Sequence, residues 1–188
     1  MIAEGLHVLE LGTASSAASM IGMVLADNGA RVLKVEPPGG DRLRTENPSG
    51  ALVWNRGKES VVIDLHSASG QTELRSLAAN ADVVIEAFSP GTIEAWGIDE
   101  DVLRPANPRL VYCSVTGFGR RGPYAHLKGY EALVAAKVGM FNRGEFAPRP
   151  GPIMFTQPSG SFGAAMTCSG VRSAARAVPR MRFLNPMN

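Results

Sequence analysis

Short apolar runs alternate along this chain with segments whose apolar residues recur at helical spacing, the order of strand and crossover helix that builds a parallel sheet. Leu6 to Leu11 reads as a first strand, and the small-residue run from Ser15 to Asn28 reads as a helix closed by Gly29. Arg31 to Glu36 is a second strand, which Pro37-Pro38-Gly39-Gly40 stops. Ser60 to Leu65, rich in β-branched residues, predicts a third strand. Leu74, Leu77, Ala78 and Ala81 then share one helical face, and Asp82 to Glu86 makes another strand. A short helix is predicted after Pro90-Gly91, a last strand over Arg109 to Thr116, a glycine-rich turn, and a helix from Ala132 to Met140. The fold class is therefore α/β, a Rossmann-like, mostly parallel sheet flanked by helices.

Composition narrows the function more than the fold. The 188 residues suffice for one sizeable core, and 45% apolar with 19% charged residues is ordinary for a soluble globular protein. A net charge of +2 is too small for a general polyanion binder, so no nucleic-acid partner is expected. Cys113 and Cys168 lack metal-site spacing, and two cysteines do not make the disulfide framework of a secreted chain. No metal is expected. The N-terminus lacks a basic start followed by an apolar run, and nowhere do about 18 apolar residues follow one another, so a cytoplasmic protein with no membrane partner is expected. The character changes after Cys168. Residues 169–188 carry Arg172, Arg176, Arg180 and Arg182, no acid and little apolar periodicity, which predicts a domain over 1–168 and a divergent, disordered tail over 169–188.

Gly117-Phe118-Gly119-Arg120-Arg121-Gly122 fits the G-x-G-x-x-G pattern of dinucleotide binding. That pattern belongs to the first strand-to-helix turn, where pyrophosphate meets a helix N-terminus. Here it follows the last strand and runs into Pro123-Tyr124, so a tight loop is the better reading and a nucleotide-dependent oxidoreductase the weakest of three functional readings.

Three segments point elsewhere. Gly29-Ala30-Arg31-Val32-Leu33-Lys34-Val35-Glu36-Pro37-Pro38-Gly39-Gly40-Asp41, Asn55-Arg56-Gly57-Lys58 and Gly117 to Tyr124, in that order, resemble the family III coenzyme A transferases. This group includes formyl-CoA and carnitine-CoA transferases and 2-methylacyl-CoA racemases. The resemblance runs from about Gly5 to Met166 and implies the N-terminal part of the family's large domain, with coenzyme A thioesters as ligand. A family chain continues with a helix and a smaller second domain and forms interlocked dimers. A truncated chain of this kind is accordingly expected to form a homodimer or to need a partner chain that supplies the missing half.

The resemblance also assigns residues one by one. Gly117, Phe118 and Gly119 would lie near the thioester, where backbone free of side chains can approach a ligand closely. Lys128, in His126-Leu127-Lys128-Gly129-Tyr130-Glu131, would meet a CoA phosphate as a point charge. Ile63 and His66 fall where the family holds the adenine-nucleotide end, Phe88 where a residue packs on the ligand, and Arg44 at the family arginine after Gly-Asp. Asn55, Arg56 and Lys58 match a cluster that is mostly structural in the family. Ala87 and Ala95 replace an asparagine and an arginine of family members, removing contacts to the ligand.

The catalytic positions depart further. Transferases carry an aspartate whose carboxylate attacks the thioester, and Ser161 occupies that slot, with no aspartate or glutamate from Gly151 to the end. Ser161 either acts beside a base or simply caps a helix. Glu131 is the nearest carboxylate with a family argument for reaching the cleft. Tyr130 stands where the racemases place a proton-transfer histidine, and a phenol with a pKa near 10 is a poor base near neutrality, so racemization is not expected. Two readings lead: a transferase moving CoA between an acyl-CoA and a carboxylic acid, or a catalytically inactive CoA-binding or partner subunit.

Overall fold

The computed structural model describes residues 1–137. Its five strands, β1 (His7–Leu11), β2 (Arg31–Glu36), β3 (Glu59–Val62), β4 (Val83–Glu86) and β5 (Val111–Ser114), form one sheet in the order β3-β2-β1-β4-β5. Every pairing is parallel, with His7 opposite Arg31, Val8 opposite both Val32 and Val83, and Val83 opposite Val111. The predicted α/β class is what the sheet shows. The helices are α1 (Ser16–Asp27), α2 (Leu43–Glu46), α3 (Pro48–Trp54), α4 (Ala68–Ala78), α5 (Thr92–Ala95), α6 (Glu100–Leu103) and α7 (Glu131–Lys137).

Local chemistry sets the boundaries. The Ser15 hydroxyl accepts the Ala18 N–H and opens α1, and Gly29, at φ +95°, turns the chain into β2. The third strand is shorter than Ser60 to Leu65: after Val62, the Ile63 N–H still pairs with the Glu36 carbonyl, but Asp64 then turns the chain toward the Ser67 cap of α4. The last strand likewise keeps Val111–Ser114 out of the wider Arg109 to Thr116 span. Helices α2, α3 and α6 were absent from the sequence reading because each is at most seven residues long and shows no full helical period. Two of them carry side-chain caps, since Asn47 accepts the Gly50 N–H at the start of α3 and Asp99 accepts the Asp101 N–H at the start of α6; α2 has none.

Alternation along the strands divides the core into two layers. Val8, Val32, Val83 and Ile85 face α1 together with Ile21 and Leu25. Leu9, Leu11, Val35 and Val84 face the opposite side with Leu74, Ile93, Ile98 and Leu110. Burying each such side chain stabilises the fold by about 1.5–3 kcal/mol.

Where the α1 layer meets the carboxyl end of the sheet, charge replaces hydrocarbon. Glu10 and Lys34 are directly opposite in the β1–β2 register, and their side chains meet at 2.8 Å with 0% and 2% exposure. Lys58 Nζ reaches the other Glu10 oxygen at 2.5 Å and also donates to the Ser19 carbonyl and Asn55 Oδ1. Lys34 Nζ pairs with Asp41 at 2.9 Å, while the Asp41 amide donates to Glu36, itself bound by Arg44. Two ammoniums thus face two carboxylates in a buried, neutral set. Gly22 of α1 lies against it so closely that a Cβ there would fall 1.9 Å from Glu10 Oε2. Burial disfavours the Lys34 ammonium, but Glu10 and Asp41 outweigh it and raise its pKa; burial wins at Lys58 and lowers its pKa.

Candidate functional site

An open cleft of about 530 Å³ lies at the carboxyl ends of β4 and β5, within the size range of small-molecule sites. Its floor is Glu86 and Ser114, opposite each other in register. One wall is the Phe88–Gly91 loop with Ile93 and Glu94 of α5; the other is the turn after β5, with Gly119, Arg120, Arg121 and His126. Both walls are loops leaving parallel strands, where open α/β sheets place their ligands.

The cleft mixes signs at short range. Arg120 holds Glu94 at 2.8 Å and approaches Glu100 at 4.0 Å, so it straps the glycine-rich turn to α5 and α6. Its guanidinium carbon also sits 5.9 Å from the Tyr112 ring centre, within cation–π reach. Burial, then the neighbouring Glu86 carboxylate, push the Tyr112 phenol far above its ordinary pKa, so it is neutral.

Glu86 is 4% exposed and accepts the Phe88 N–H at 2.9 Å. Burial raises its pKa, and the Ser114 hydroxyl, the Phe88 amide and the Arg120 charge only partly offset this. A carboxyl raised on folding releases its proton earlier in the unfolded chain. Its contribution to stability therefore falls as pH rises from the ordinary value of 4.5 through the raised one. Glu86→Gln should remove that loss, so that its urea midpoint exceeds wild type by more at pH 7 than at pH 4; a midpoint below wild type at pH 7 would show that the site needs the charged form.

Comparison with known proteins identifies the scaffold. Residues 3–180 match CoA-transferase family III. The chain belongs to that family. A probable fatty acyl-CoA transferase of Mycobacterium tuberculosis is 41% identical over 146 residues, 73% of this chain and 37% of that protein. The succinate–glutarate CoA-transferase of Agrobacterium fabrum is 42% identical over 153 residues, 74% of this chain and 38% of that protein. A CaiB/BaiF family protein from Brucella suis superposes with a TM-score of 0.85 at 34% identity, over 93% of this chain and 49% of that one. The chain thus spans under two fifths of the length of these curated relatives.

Within this family III scaffold the expected ligand positions fall into groups. Phe88 and Gly119 line the cleft. His66 packs edge-on against Trp96, which packs edge-on against Phe88, so one aromatic row connects the start of α4 to the cleft. Gly117 crosses the Lys128–Tyr130 segment: a Cβ on Gly117 would lie 2.4 Å from the Gly129 Cα. Phe118 instead packs on Tyr124, over whose ring Lys137 sits at 4.3 Å. Lys128 and Tyr130 are exposed. Two positions lie apart from the cleft. The Ile63 side chain is a core residue, 2% exposed, and Arg44 makes a two-point bond to Glu36 at the end of β2. Of Asn55, Arg56 and Lys58, Lys58 and Asn55 serve the buried charge set and Arg56 binds Asp27. Ser161 and residues 169–188 lie outside the described residues, and so does the end of the helix predicted to Met140. The turn after β5 leads to α7 only at Glu131, so no helix begins where a dinucleotide phosphate would sit.

Sequence reasoning missed Glu86, Arg120, Trp96 and the Glu10–Lys34–Asp41 set. A signal existed for the last. Glu10 and Lys34 are each flanked on both sides by apolar residues in two consecutive strands, and a charge there has to find a partner.

Proposed function

We propose that this chain forms the CoA-thioester-binding part of an acyl-CoA:carboxylate CoA-transferase, a protein that moves CoA between carboxylic acids. The observation that carries the reading is a cleft at the carboxyl edge of a family III sheet, walled by Phe88 and Gly119, two positions at which ligand contact was expected. Glu86, Glu94, Glu100 and Asp101 around the cleft outnumber its cations Arg120 and Arg121 and disfavour phosphates, so it suits the uncharged pantetheine and thioester end. Lys128, exposed, offers a cation to a nucleotide phosphate.

In the catalytic reading the Glu131 carboxylate attacks the thioester carbonyl, a C–O bond forms, and the C–S bond breaks to release CoA thiolate. The thiolate attacks the glutamyl carbonyl of the mixed anhydride, freeing the donor acid and leaving CoA on the enzyme. An acceptor carboxylate repeats the sequence in reverse, takes CoA, and restores Glu131. Ser161 is the other nucleophile, with its hydroxyl proton passing to a neighbouring base. The serine in place of the family aspartate favours a second reading, a CoA-binding subunit without transfer. Exposed Leu52 and Val53 on α3 and Val62 on the edge strand β3 support assembly with a second copy or a partner chain.

Incubating the protein with an acyl-CoA and a labelled acceptor acid tests the choice. Label appearing in CoA thioester, with an enzyme adduct trapped by hydroxylamine and lost in Glu131→Gln, supports transfer; loss in Ser161→Ala instead assigns serine. Calorimetric CoA binding without exchange supports the subunit reading, and absence of CoA binding sinks both.

A further inference from the structure

We propose that Asp41 is a positioning residue for ligand binding: it holds the Gly12–Ser15 loop, at the carboxyl end of β1, in a strained shape that sets the wall of the cleft. This rests on the CoA-binding reading above.

Ala14, at φ +55°, is the sole residue other than glycine with a positive φ among the described residues. An L side chain is disfavoured there, so alanine keeps that backbone only where its surroundings impose it. The imposing group is Asp41. Its Oδ1 accepts the Ala14 N–H at 2.8 Å and the Leu43 N–H at 2.9 Å, while Oδ2 takes the Lys34 ammonium at 2.9 Å. The Asp41 amide is fixed in turn on Glu36. Both carboxylate oxygens and the amide are engaged, and the side chain is 1% exposed, so Asp41 cannot swing away to let Ala14 relax.

The loop it holds sits at a particular place. β1 lies between β2 and β4, where connections leave in opposite directions along the sheet and a crevice opens beyond the strand ends. Gly12 packs against Ala87, with a Cβ at Gly12 falling 3.7 Å from the Ala87 Cβ and nitrogen. Ala87 is followed directly by Phe88, which lines the cleft. If Ala14 relaxed to negative φ, Gly12 would press on or leave Ala87, and the Phe88 wall would move with it. The buried charge set therefore has an outlet beyond stability: through Asp41 it shapes the ligand edge.

Free CoA is the probe, titrated calorimetrically into wild-type protein and variants, with thermal melting in parallel. Asp41→Asn keeps an oxygen for the Ala14 N–H and should bind within about threefold of wild type, while Asp41→Ala should lose about tenfold or more, the scale of a mispositioned contact. Adding Ala14→Gly to Asp41→Ala should restore most of the affinity, because glycine takes positive φ unaided, but leave the lowered melting temperature where it was. A purely structural Asp41 would not show that split. Should Asp41→Ala not fold, Ala14→Val decides, since it leaves every charge in place yet opposes positive φ; it should weaken CoA by about tenfold. Wild-type affinity in Asp41→Ala or Ala14→Val, or no recovery on adding Ala14→Gly to folded Asp41→Ala, overturns the inference while leaving the CoA reading intact. A wild-type protein that does not bind CoA removes that reading and the inference with it.

Discussion

Lys34→Met should destabilise the protein by about 3–5 kcal/mol, the cost of breaking a buried ion pair from one side. Lys34 pairs with both Glu10 and Asp41 at 2% exposure, and methionine fills its volume without its charge. The two carboxylates are then left with Lys58 alone, which touches Glu10 but makes no direct ion pair with Asp41. Domains are stable by only about 5–15 kcal/mol, so the substitution should bring the urea midpoint down by about a fifth or more. The pH dependence separates this from lost packing. Burial acts to raise the Asp41 pKa, but the Leu43 and Ala14 amides and then Lys34 outweigh it and lower it. Its stabilising contribution is therefore present above the ordinary 3.8 and disappears as pH falls through the depressed folded value. Glu36, lowered chiefly by Arg44, behaves alike, opposite in sign to Glu86. Wild type should lose stability on acidification below about pH 4, and Lys34→Met should lose less over the same interval. A midpoint within about 1 kcal/mol of wild type at pH 7 would show that the charge set does not hold the sheet.

Gly117→Ala should cost CoA affinity far more than stability. Its Cβ would lie 2.4 Å from the Gly129 Cα and 2.8 Å from Val134 Cγ2, and the first of these is backbone that cannot rotate aside. The turn after β5 and the Lys128–Tyr130 segment have to separate, carrying Gly119 and Arg120 off the cleft wall. Gly117 itself is exposed and lies outside both core layers, so melting should shift little. Calorimetry should show CoA affinity reduced by about ten- to a hundredfold, the effect of losing one or two ligand contacts of about 1.4 kcal/mol each. Unchanged affinity would mean that the glycine crossing does not position the ligand.

Much of the scaffold is legible in the residue order because parallel strands buried on both faces read as continuous apolar runs. Arg31–Glu36 agrees end to end with β2, and Ser15 and Gly29 bracket α1 through cap and left-handed turn, interactions that are local in sequence. The short helices escaped because a four-residue turn such as Leu43–Glu46 has no period to detect, and it persists only by packing. Of the positions that the resemblance assigned to the ligand, Phe88 and Gly119 line the cleft. Arg44 and Ile63 lie apart from it, one engaged by Glu36 and the other buried in the core.

Residue order by itself determined the alternation of strand and helix, the family and the glycine-rich turns, because each rests on neighbours within a few positions. Tertiary structure alone decided that Glu10, Lys34, Asp41 and Lys58 neutralise one another, that Ala14 is held at positive φ, and that Glu86 and Arg120 share a cleft with Phe88. These partners are up to 48 positions apart, and only the parallel pairing of all five strands brings them together.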